Sequence, residues 1–235
     1  MMNISIVITT LNKRRMIQQR LYEIYRYLSG SDIQEIIISN DDKTDEELVE
    51  LVKKYDKKFP FPLFIIDSDH PTSFSANVNR GVNQVNGEYL IITQDDVQIS
   101  GNFLRSLKST LTTYESSDKC CIAGKLLDHD TGWNKFHGHV VPYIEGWFIA
   151  CRRDVWDDIG GMDEEIAPYD AEDIDLAIRA REKGYILVDF STPHLQHIRG
   201  QTITLDEKRR KITEKNVVYV RDKWSEEELK EIYNE

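Results

Sequence analysis

The chain has 235 residues, enough to bury a core of ordinary size without help from a metal or a disulfide. Its 30 Lys and Arg residues are outnumbered by 41 Asp and Glu residues, and the resulting net charge of -11 would repel a phosphate backbone, so we expect no nucleic acid partner. The three cysteines show neither metal-ligand spacing nor a disulfide framework, and no apolar run is long enough to cross a bilayer, so we expect a soluble, cytoplasmic protein without a transmembrane segment.

Short apolar runs alternate with helical patterns in the first half of the chain. Strands are predicted at residues 4–10, 35–39, 63–67 and 89–93. Helices are predicted at residues 16–28, 45–55 and 75–85. Apolar strands alternating with amphipathic helices are typical of a mostly parallel sheet covered by helices on both faces. The sequence therefore predicts an α/β fold.

The second half is less regular. Further strands are predicted at residues 120–124, 146–151 and 186–190, and a short helix at 153–159 that ends at Gly160-Gly161. A helix is also predicted within Tyr169 to Gly184, with Ile174, Ala177 and Ile178 on one face. Ser225 and Glu228 form the pattern of a capping box for a last helix.

Acidic residues follow several of the predicted strands, at the sheet edge where parallel sheets bind ligands. Asp95 and Asp96 end the fourth strand, where a carboxylate pair could share Mg²⁺ or Mn²⁺ or could simply cap a turn. Asn40 and Asp41 follow the second strand and have the same ambiguity, and Asp42 or Thr44 could cap the helix that comes next. These positions alone leave both interpretations open.

The stretch YDAEDIDLAIRAREKG places Asp170, Glu172, Asp173 and Asp175 within six residues at a helix start. Acidic residues stabilise a helix N-terminus by capping free N–H groups and by opposing its dipole, which is the simpler explanation. Catalysis is the alternative. His197 follows the last predicted strand, where a packed or surface histidine is the commoner outcome.

Two nucleotide-binding classes are excluded by the loops. A dinucleotide fold needs glycines in the turn after its first strand, and the residues from Thr9 to Asn12 contain none. The chain also lacks the G-x-x-x-x-G-K-[ST] pattern of a phosphate-binding loop.

Five blocks resemble, in the same order, those of the family-two glycosyltransferases with the GT-A fold. They are SIVITTLNKRR, EIIISNDDKTDEEL, SFSANVNRGVNQVNGEYLIITQDDV, EGWFIACRRDVWDDIGGMDEEIAPYDAEDIDLAIRAREKGY, and HIRGQT with VRDKW. The most specific is the fourth, in which an aromatic strand, Gly-Gly-Met-Asp-Glu and Glu-Asp-Ile-Asp-Leu keep the family's spacing. The resemblance implies one GT-A domain of residues 1–235, with a nucleotide-sugar-binding half (1–101), an acceptor and catalytic half (102–204) and a C-terminal helical extension (205–235).

The resemblance also implies the roles of individual donor-site residues. Thr9 would border the base, and Asn40 and Asp41 would hold the base or ribose. Asp95 and Asp96 match the motif that holds the ribose and a Mn²⁺ or Mg²⁺ ion, with Asp96 the better metal ligand.

Further roles fall in the second half of the chain. Asp173, with Glu172 beside it, matches the acid that serves as catalytic base, and His197 matches a histidine near the diphosphate and metal. Trp147 could stack on a sugar face, although an aromatic residue in a strand is more often part of the core.

Two departures from the family pattern stand out: Asn40 replaces the usual Asp, and Thr93-Gln94-Asp95 lacks the first acid of Asp-x-Asp. Only Lys223-Trp224 matches the Gln-x-x-Arg-Trp block of processive synthases, so transfer of single sugars is expected. The resemblance implies an inverting, metal-dependent hexosyltransferase that uses a UDP-hexose donor and a carbohydrate or other hydroxyl acceptor. The alternatives are a non-catalytic nucleotide-sugar-binding protein and a nucleotidyltransferase of similar architecture.

Overall fold

The computed structural model describes residues 2–28, 32–115, 120–198 and 206–233. The strands in these ranges are β1 Ile4–Thr10, β2 Ile33–Asn40, β3 Leu63–Ile66, β4 Tyr89–Gln94, β5 Val97–Ile99, β6 Cys121–Leu127, β7 Lys135–Phe136, β8 His139–Val140, β9 Tyr143–Arg152, β10 Ile186–Asp189 and β11 Leu195–His197. The helices are α1 Arg14–Leu28, α2 Glu46–Asp56, α3 Phe74–Val82, α4 Phe103–Glu115, α5 Arg153–Ile159, α6 Glu172–Glu182, α7 Glu207–Lys223 and α8 Glu226–Tyr233.

The central sheet has seven strands in the order β10-β6-β9-β4-β1-β2-β3. Neighbouring strands are parallel except at β9, which runs antiparallel to both β4 and β6. The predicted mostly parallel sheet is therefore confirmed. Because β9 runs the other way, its first residues lie at the edge where the parallel strands end.

Helices cover both faces of this sheet, as predicted. On one face, α1, α2 and α4 bury an apolar cluster that includes Ile17, Leu21 and Leu107. On the other face, α3, α5 and α6 bury a second cluster that includes Val78 and Trp156. The heptad-like spacing of buried residues along α1 is the reason that one side of this helix meets the sheet.

A third apolar cluster joins α6 to the C-terminal helices. Ile174 and Ile178 of α6 pack there with Val220 and Trp224. Leu176 and Ala180 of α6 pack instead in the second cluster, the one that α3, α5 and α6 form against the sheet. The prediction of a single apolar face for α6 was therefore incomplete, because α7 and α8 cover the side that would otherwise meet solvent.

Several elements were absent from the predicted pattern. They are α4, the β7–β8 hairpin and the ribbon formed by β5 and β11, which pair antiparallel with His197 opposite Val97, whereas α7 lies within the helical extension that the resemblance implied. The capping box at Ser225 is confirmed by hydrogen bonds in both directions with Glu228, of 2.7 and 3.2 Å. The cap of α2 is Asp45, whose Oδ1 accepts from Leu48 N, and not Asp42 or Thr44.

No helix within the described ranges has the length and apolar character that a bilayer span requires.

Candidate functional site

Asp95 lies in the turn between β4 and β5 and is almost fully buried. Its carboxylate accepts a hydrogen bond from Thr10 Oγ1, and its backbone N–H donates to Thr9 O at 3.1 Å. Burial raises the pKa of Asp95 to about 7, against the lowering effect of the Thr10 hydrogen bond, and Asp96 adds to the rise. Asp95 therefore ties the ends of β1 and β4 together.

Asp96 faces His197, which the β5–β11 ribbon brings from a distant part of the chain. His197 Nε2 lies 3.3 Å from Asp96 Oδ1. No hydrogen bond of good geometry satisfies this oxygen, although it is buried, and His197 Nδ1 is also buried without a partner. Unsatisfied buried polar atoms are costly, so their occurrence on two neighbouring side chains indicates a place where a ligand supplies the missing contacts.

Trp147 of β9 packs on the same histidine. Its ring is stacked on the His197 ring with centroids 5.0 Å apart and an interplanar angle of 20°. The indole Nε1 donates to Glu145 Oε2 at 3.0 Å. Trp147 also packs against the core, and the stacking of its ring on a sugar stays a prediction.

Gly146, the residue before Trp147, contacts the acidic segment. Its backbone N–H donates to Asp173 Oδ2 at 3.0 Å, while Ile174 N donates to Asp173 Oδ1 at 2.9 Å. A Cβ atom at position 146 would lie 3.5 Å from both Asp173 Cβ and Glu172 Oε1. Glu172 is buried, and its Oε2 has no hydrogen-bond partner. Two carboxylates thus meet at one point of β9.

The environment of this pair favours protonation near neutral pH. Burial raises the pKa of Asp173 to about 7, and the negative charges of Asp170 and Glu145 act in the same direction. Burial also raises the pKa of Glu172 well above its ordinary value, followed by the effect of Asp173. A carboxylate with a pKa near 7 is suited to accept a proton during catalysis.

Strand β9 connects the two groups of carboxylates. Its residue 146 contacts Asp173, and its residue 147 stacks on His197, which lies beside Asp96. Two successive residues of β9 therefore contact the Asp173 carboxylate on one side and the His197–Asp96 pair on the other.

The four carboxylates that open α6 have different roles, which the sequence alone did not separate. The N-cap of α6 is Ala171 and makes no side-chain capping hydrogen bond, but Asp173 accepts from a first-turn N–H, that of Ile174, at 2.9 Å. Asp170 pairs with Arg209 of α7 at 2.8 Å. Asp175 is fully buried and accepts from Trp224 Nε1 at 3.1 Å. Further partners of Asp175 are Arg179 and Lys223, each at 2.8 Å.

Thr9 and Asn40 use their side chains within the protein. Thr9 Oγ1 donates to Thr93 O at 3.4 Å. Asn40 is fully buried, accepts from Asn12 N at 2.8 Å and donates from Nδ2 to Asp42 O at 2.8 Å. Asn40 therefore shapes the two loops beside β1 and β2, and a direct contact of its side chain with a base stays a prediction.

Asp41 is more accessible than Asn40 but also has partners. Arg80 Nη2 lies 3.1 Å from Asp41 Oδ1, and Thr72 N donates to Asp41 Oδ2 at 3.0 Å. Arg80 also donates to Asn40 O at 3.2 Å. Arg80 was not singled out from the sequence, because a lone arginine in a helix gives no signal of its own.

A divalent metal fits the donor set only in part. The described residues contain no group of three or more His, Cys, Asp or Glu side chains that could hold a metal ion. Asp96 Oδ1 and His197 are nevertheless unsatisfied and adjacent, and Mg²⁺ sites commonly use one or two carboxylates and complete their shell with phosphate oxygens and water. The residues present therefore fit a metal that a diphosphate ligand would help to hold.

Curated relatives match only a short part of the chain. Uncharacterized proteins of Mycobacterium bovis and Mycobacterium tuberculosis are 39% identical over 64 residues, which is 26% of this chain and 24% of theirs. The chain thus matches about a quarter of the length of these relatives.

Solved structures share the fold at low identity. GalNAc-T7, solved with UDP, GalNAc and Mn²⁺, is 14% identical with a TM-score of 0.72, over 99% of this chain and 50% of that chain. The mannosyltransferase PcManGT from Pyrobaculum calidifontis, in complex with GDP-Man and Mn²⁺, is 12% identical with a TM-score of 0.62, over 85% of this chain and 58% of that chain. S. aureus TarS 1-349 in complex with UDP-GlcNAc is 14% identical with a TM-score of 0.62, over 92% of this chain and 66% of that chain.

These neighbours and the sheet order identify the fold as GT-A. The model of the family described as "Glycosyl transferase family 2" matches residues 5–162, which is more than half of the chain and includes Asp95, Asp96 and Trp147. The chain belongs to glycosyl transferase family 2.

Proposed function

We propose that this protein transfers a single sugar from a nucleotide-sugar to an acceptor hydroxyl, with inversion at the anomeric carbon and with the help of a divalent metal. The observation that carries the proposal is the arrangement along β9. There, Asp173 is fixed at Gly146 N, and the next residue stacks on His197 beside the unsatisfied Asp96.

Asp173 is the proposed catalytic base. The acceptor O–H gives its proton to the Asp173 carboxylate while the acceptor oxygen forms a bond to the anomeric carbon. The bond from that carbon to the nucleoside diphosphate breaks on the opposite side, and a single displacement of this kind inverts the centre. The pKa of about 7 supports this role, because a base works best when its pKa is near the working pH.

Glu172 tunes this base. Its raised pKa keeps it protonated when Asp173 loses its proton, since two adjacent buried carboxylates resist a double negative charge. One negative charge on the pair is what a single proton transfer requires.

Asp96 and His197 are the proposed metal-binding residues, with Asp95 supporting the turn that carries Asp96. When bound, Mn²⁺ or Mg²⁺ neutralises charge that develops on the leaving diphosphate. Trp147 holds the His197 ring in place.

For the donor we propose a UDP-hexose, held by the loops that carry Thr9, Asn40 and Asp41. The complexes of GalNAc-T7 with UDP and of TarS with UDP-GlcNAc support this choice, whereas the GDP-Man complex of PcManGT makes the base a point to test. The acceptor is proposed to be a carbohydrate or another hydroxyl compound that reaches residues 102–204, with 205–235 as a helical extension. The free thiols of Cys120, Cys121 and Cys151 support a reducing compartment such as the cytoplasm.

The test is a panel of UDP-, GDP- and dTDP-sugars with Mn²⁺, in which release of nucleoside diphosphate and labelling of hydroxyl acceptors are measured. UDP-hexose-dependent release that is lost in Asp173→Asn and kept in Glu182→Gln, an exposed acid of the same helix, is the expected result. Donor binding without release or transfer would favour the non-catalytic binder. Pyrophosphate release from a nucleoside triphosphate and a sugar phosphate would favour the nucleotidyltransferase.

A further inference from the structure

The backbone just before α6 has an unusual conformation. Asp170 and Ala171 have φ angles of 72° and 78°, in the left-handed region that Gly adopts readily, Asn and Asp less often, and Ala seldom. Glu172 and Asp173 follow directly, so the direction of both carboxylates depends on this turn. Strained backbone of this kind persists only where surrounding contacts hold it.

Helix α7 supplies those contacts through one arginine. Arg209 Nε donates to Asp170 Oδ2 at 3.0 Å, and Nη2 donates to Oδ1 at 2.8 Å. This is a bidentate pair, which fixes the orientation of both groups as well as their separation. The same guanidinium lies over the Tyr169 ring, 5.7 Å from its centroid.

Two more residues on the same face of α7 donate hydrogen bonds to the turn. Thr213 Oγ1 donates to Asp170 Oδ2 at 2.7 Å. The buried Asn216 donates from Nδ2 to the backbone oxygens of Tyr169, at 2.8 Å, and Asp170, at 3.2 Å. Residues at this spacing line one side of a helix, so three side chains on one face of α7 hold the turn.

The same contact sets the charge next to the proposed base. Among the described residues, the charged groups that act on Glu172 and Asp173 are Asp170 in the turn, Glu145 from β9 and Arg209 from α7. Asp170 raises the pKa of both, and Arg209 lowers that of Glu172. Without Arg209, the Asp170 charge would act on the pair with no cation beside it.

We propose that Arg209 is a positioning residue of the active centre, which neutralises Asp170 and holds the left-handed turn so that the Glu172–Asp173 pair stays ready to accept a proton. The inference rests on the proposed function for its catalytic meaning. It extends the active centre to a helix that lies beyond the residues of the family match.

The matched variants are Arg209→Met and Arg210→Met. Arg210 is the next residue of the same helix, but its side chain is 71% exposed and pairs with Glu214. In Arg209→Met we expect the acidic limb of the kcat profile to move upward by about 0.5 to 1 pH unit, with kcat at pH 7 reduced and donor KM within about twofold of wild type. Arg210→Met should match wild type in all three.

A readout without turnover separates positioning from simple support of the fold. Titration of carboxyl ¹³C signals, assigned with Glu172→Gln and Asp173→Asn, should show the same upward shift in Arg209→Met. The double variant Asp170→Asn/Arg209→Met removes the unpaired charge and should bring the titration and the acidic limb back toward wild type. Arg209→Lys keeps the charge and serves if Arg209→Met does not fold, with a smaller shift expected.

Wild-type titration and an unchanged acidic limb in a folded Arg209→Met protein would overturn the inference, even if its melting temperature were lower. If wild-type protein transfers no sugar from any donor while the carboxyl titration shifts as expected, the proposed function fails and the electrostatic role of Arg209 stands.

Discussion

The indole ring of Trp147 lies nearly parallel to the imidazole ring of His197, with centroids 5.0 Å apart. This contact limits rotation of the imidazole and keeps its Nε2 directed at Asp96. Loss of a residue that orients a metal ligand typically lowers metal affinity by about 10- to 100-fold. Since His197 is a proposed metal ligand, we expect Trp147 to influence donor affinity through it.

Trp147→Ala should weaken Mn²⁺-dependent donor binding by roughly 10-fold, in line with losses seen on removing residues that orient metal ligands. Trp147→Phe, which keeps an aromatic face, should lose much less. Calorimetry with UDP-hexose and Mn²⁺ measures both, and Trp133→Ala is the control, because Trp133 is an exposed indole in a loop. Equal affinities for Trp147→Ala and wild type would show that the stack is packing alone.

Asp96→Ala should reduce donor affinity in Mn²⁺ to the level measured in EDTA, because the unsatisfied Oδ1 is the proposed metal ligand. The fold should persist, because within the described residues the side chain of Asp96 makes only the loose contact with His197 Nε2 at 3.3 Å. Calorimetry with and without metal checks this, with Asp128→Ala, an exposed acid, as control. The assignment fails if metal raises donor affinity equally in wild type and Asp96→Ala.

Asp173→Asn should lower turnover by roughly 10²- to 10⁴-fold with little change in donor affinity, because an amide cannot accept the acceptor proton. Wild-type kcat should rise with pH up to about 7, where the Asp173 carboxyl ionises, and then level. Steady-state assays from pH 5 to 9 test both points. Near-normal transfer by Asp173→Asn would place the base elsewhere.

The same carboxyl should make stability depend on pH. Its pKa is about 7 when folded, against an ordinary value of 3.8, so between these values the unfolded chain is ionised while the folded protein retains the proton. The contribution of this carboxyl to the free energy of unfolding is therefore greatest below about pH 4, and it is lost as the pH rises to about 7. In thermal melts, the melting temperature of wild type should fall relative to that of Asp173→Asn as the pH rises from about 4 to about 7. A constant difference between the two melting temperatures would contradict the raised pKa.

Asp175→Ala should destabilise the protein by about 3 kcal/mol, since it removes the counter-charge of the largely buried Arg179 and one of the two carboxylates that pair with Lys223. For a chain of this size that is a fall in melting temperature of roughly 6 to 12 °C. Glu182→Ala, at an exposed position of the same helix, should change the free energy of unfolding by less than about 0.5 kcal/mol. Similar melts for the two variants would mean that the Trp224 and Lys223 contacts contribute little.

The sequence predicted the large elements better than the contacts between distant segments. Strands β1, β2 and β4 were evident because buried parallel strands are continuous apolar runs. The β5–β11 ribbon was not, because strands of three residues carry no readable periodicity.

The acidic segment shows the same limit at the level of single residues. Asp173 and Asp175 look alike in the sequence, and we expected Asp175 to be an ordinary helix-terminal acid. Asp175 is buried because α7 and α8 cover α6. The residues near Asp175 in the sequence do not predict a partner as distant as Trp224. Asn40 similarly turned out to shape its loop through contacts with Asn12.

Strand β9 has a consequence for how this protein can change. Adjacent residues of β9 hold the proposed base and the proposed metal ligand, and insertion of one residue would turn every following side chain to the other face. An insertion before residue 146 would displace the contacts to Asp173 and to His197 together. A change in strand length at that point therefore cannot move one contact without the other. Variation in length among descendants of this chain should accumulate in the loop at residues 128–134, where the backbone can lengthen without altering that spacing.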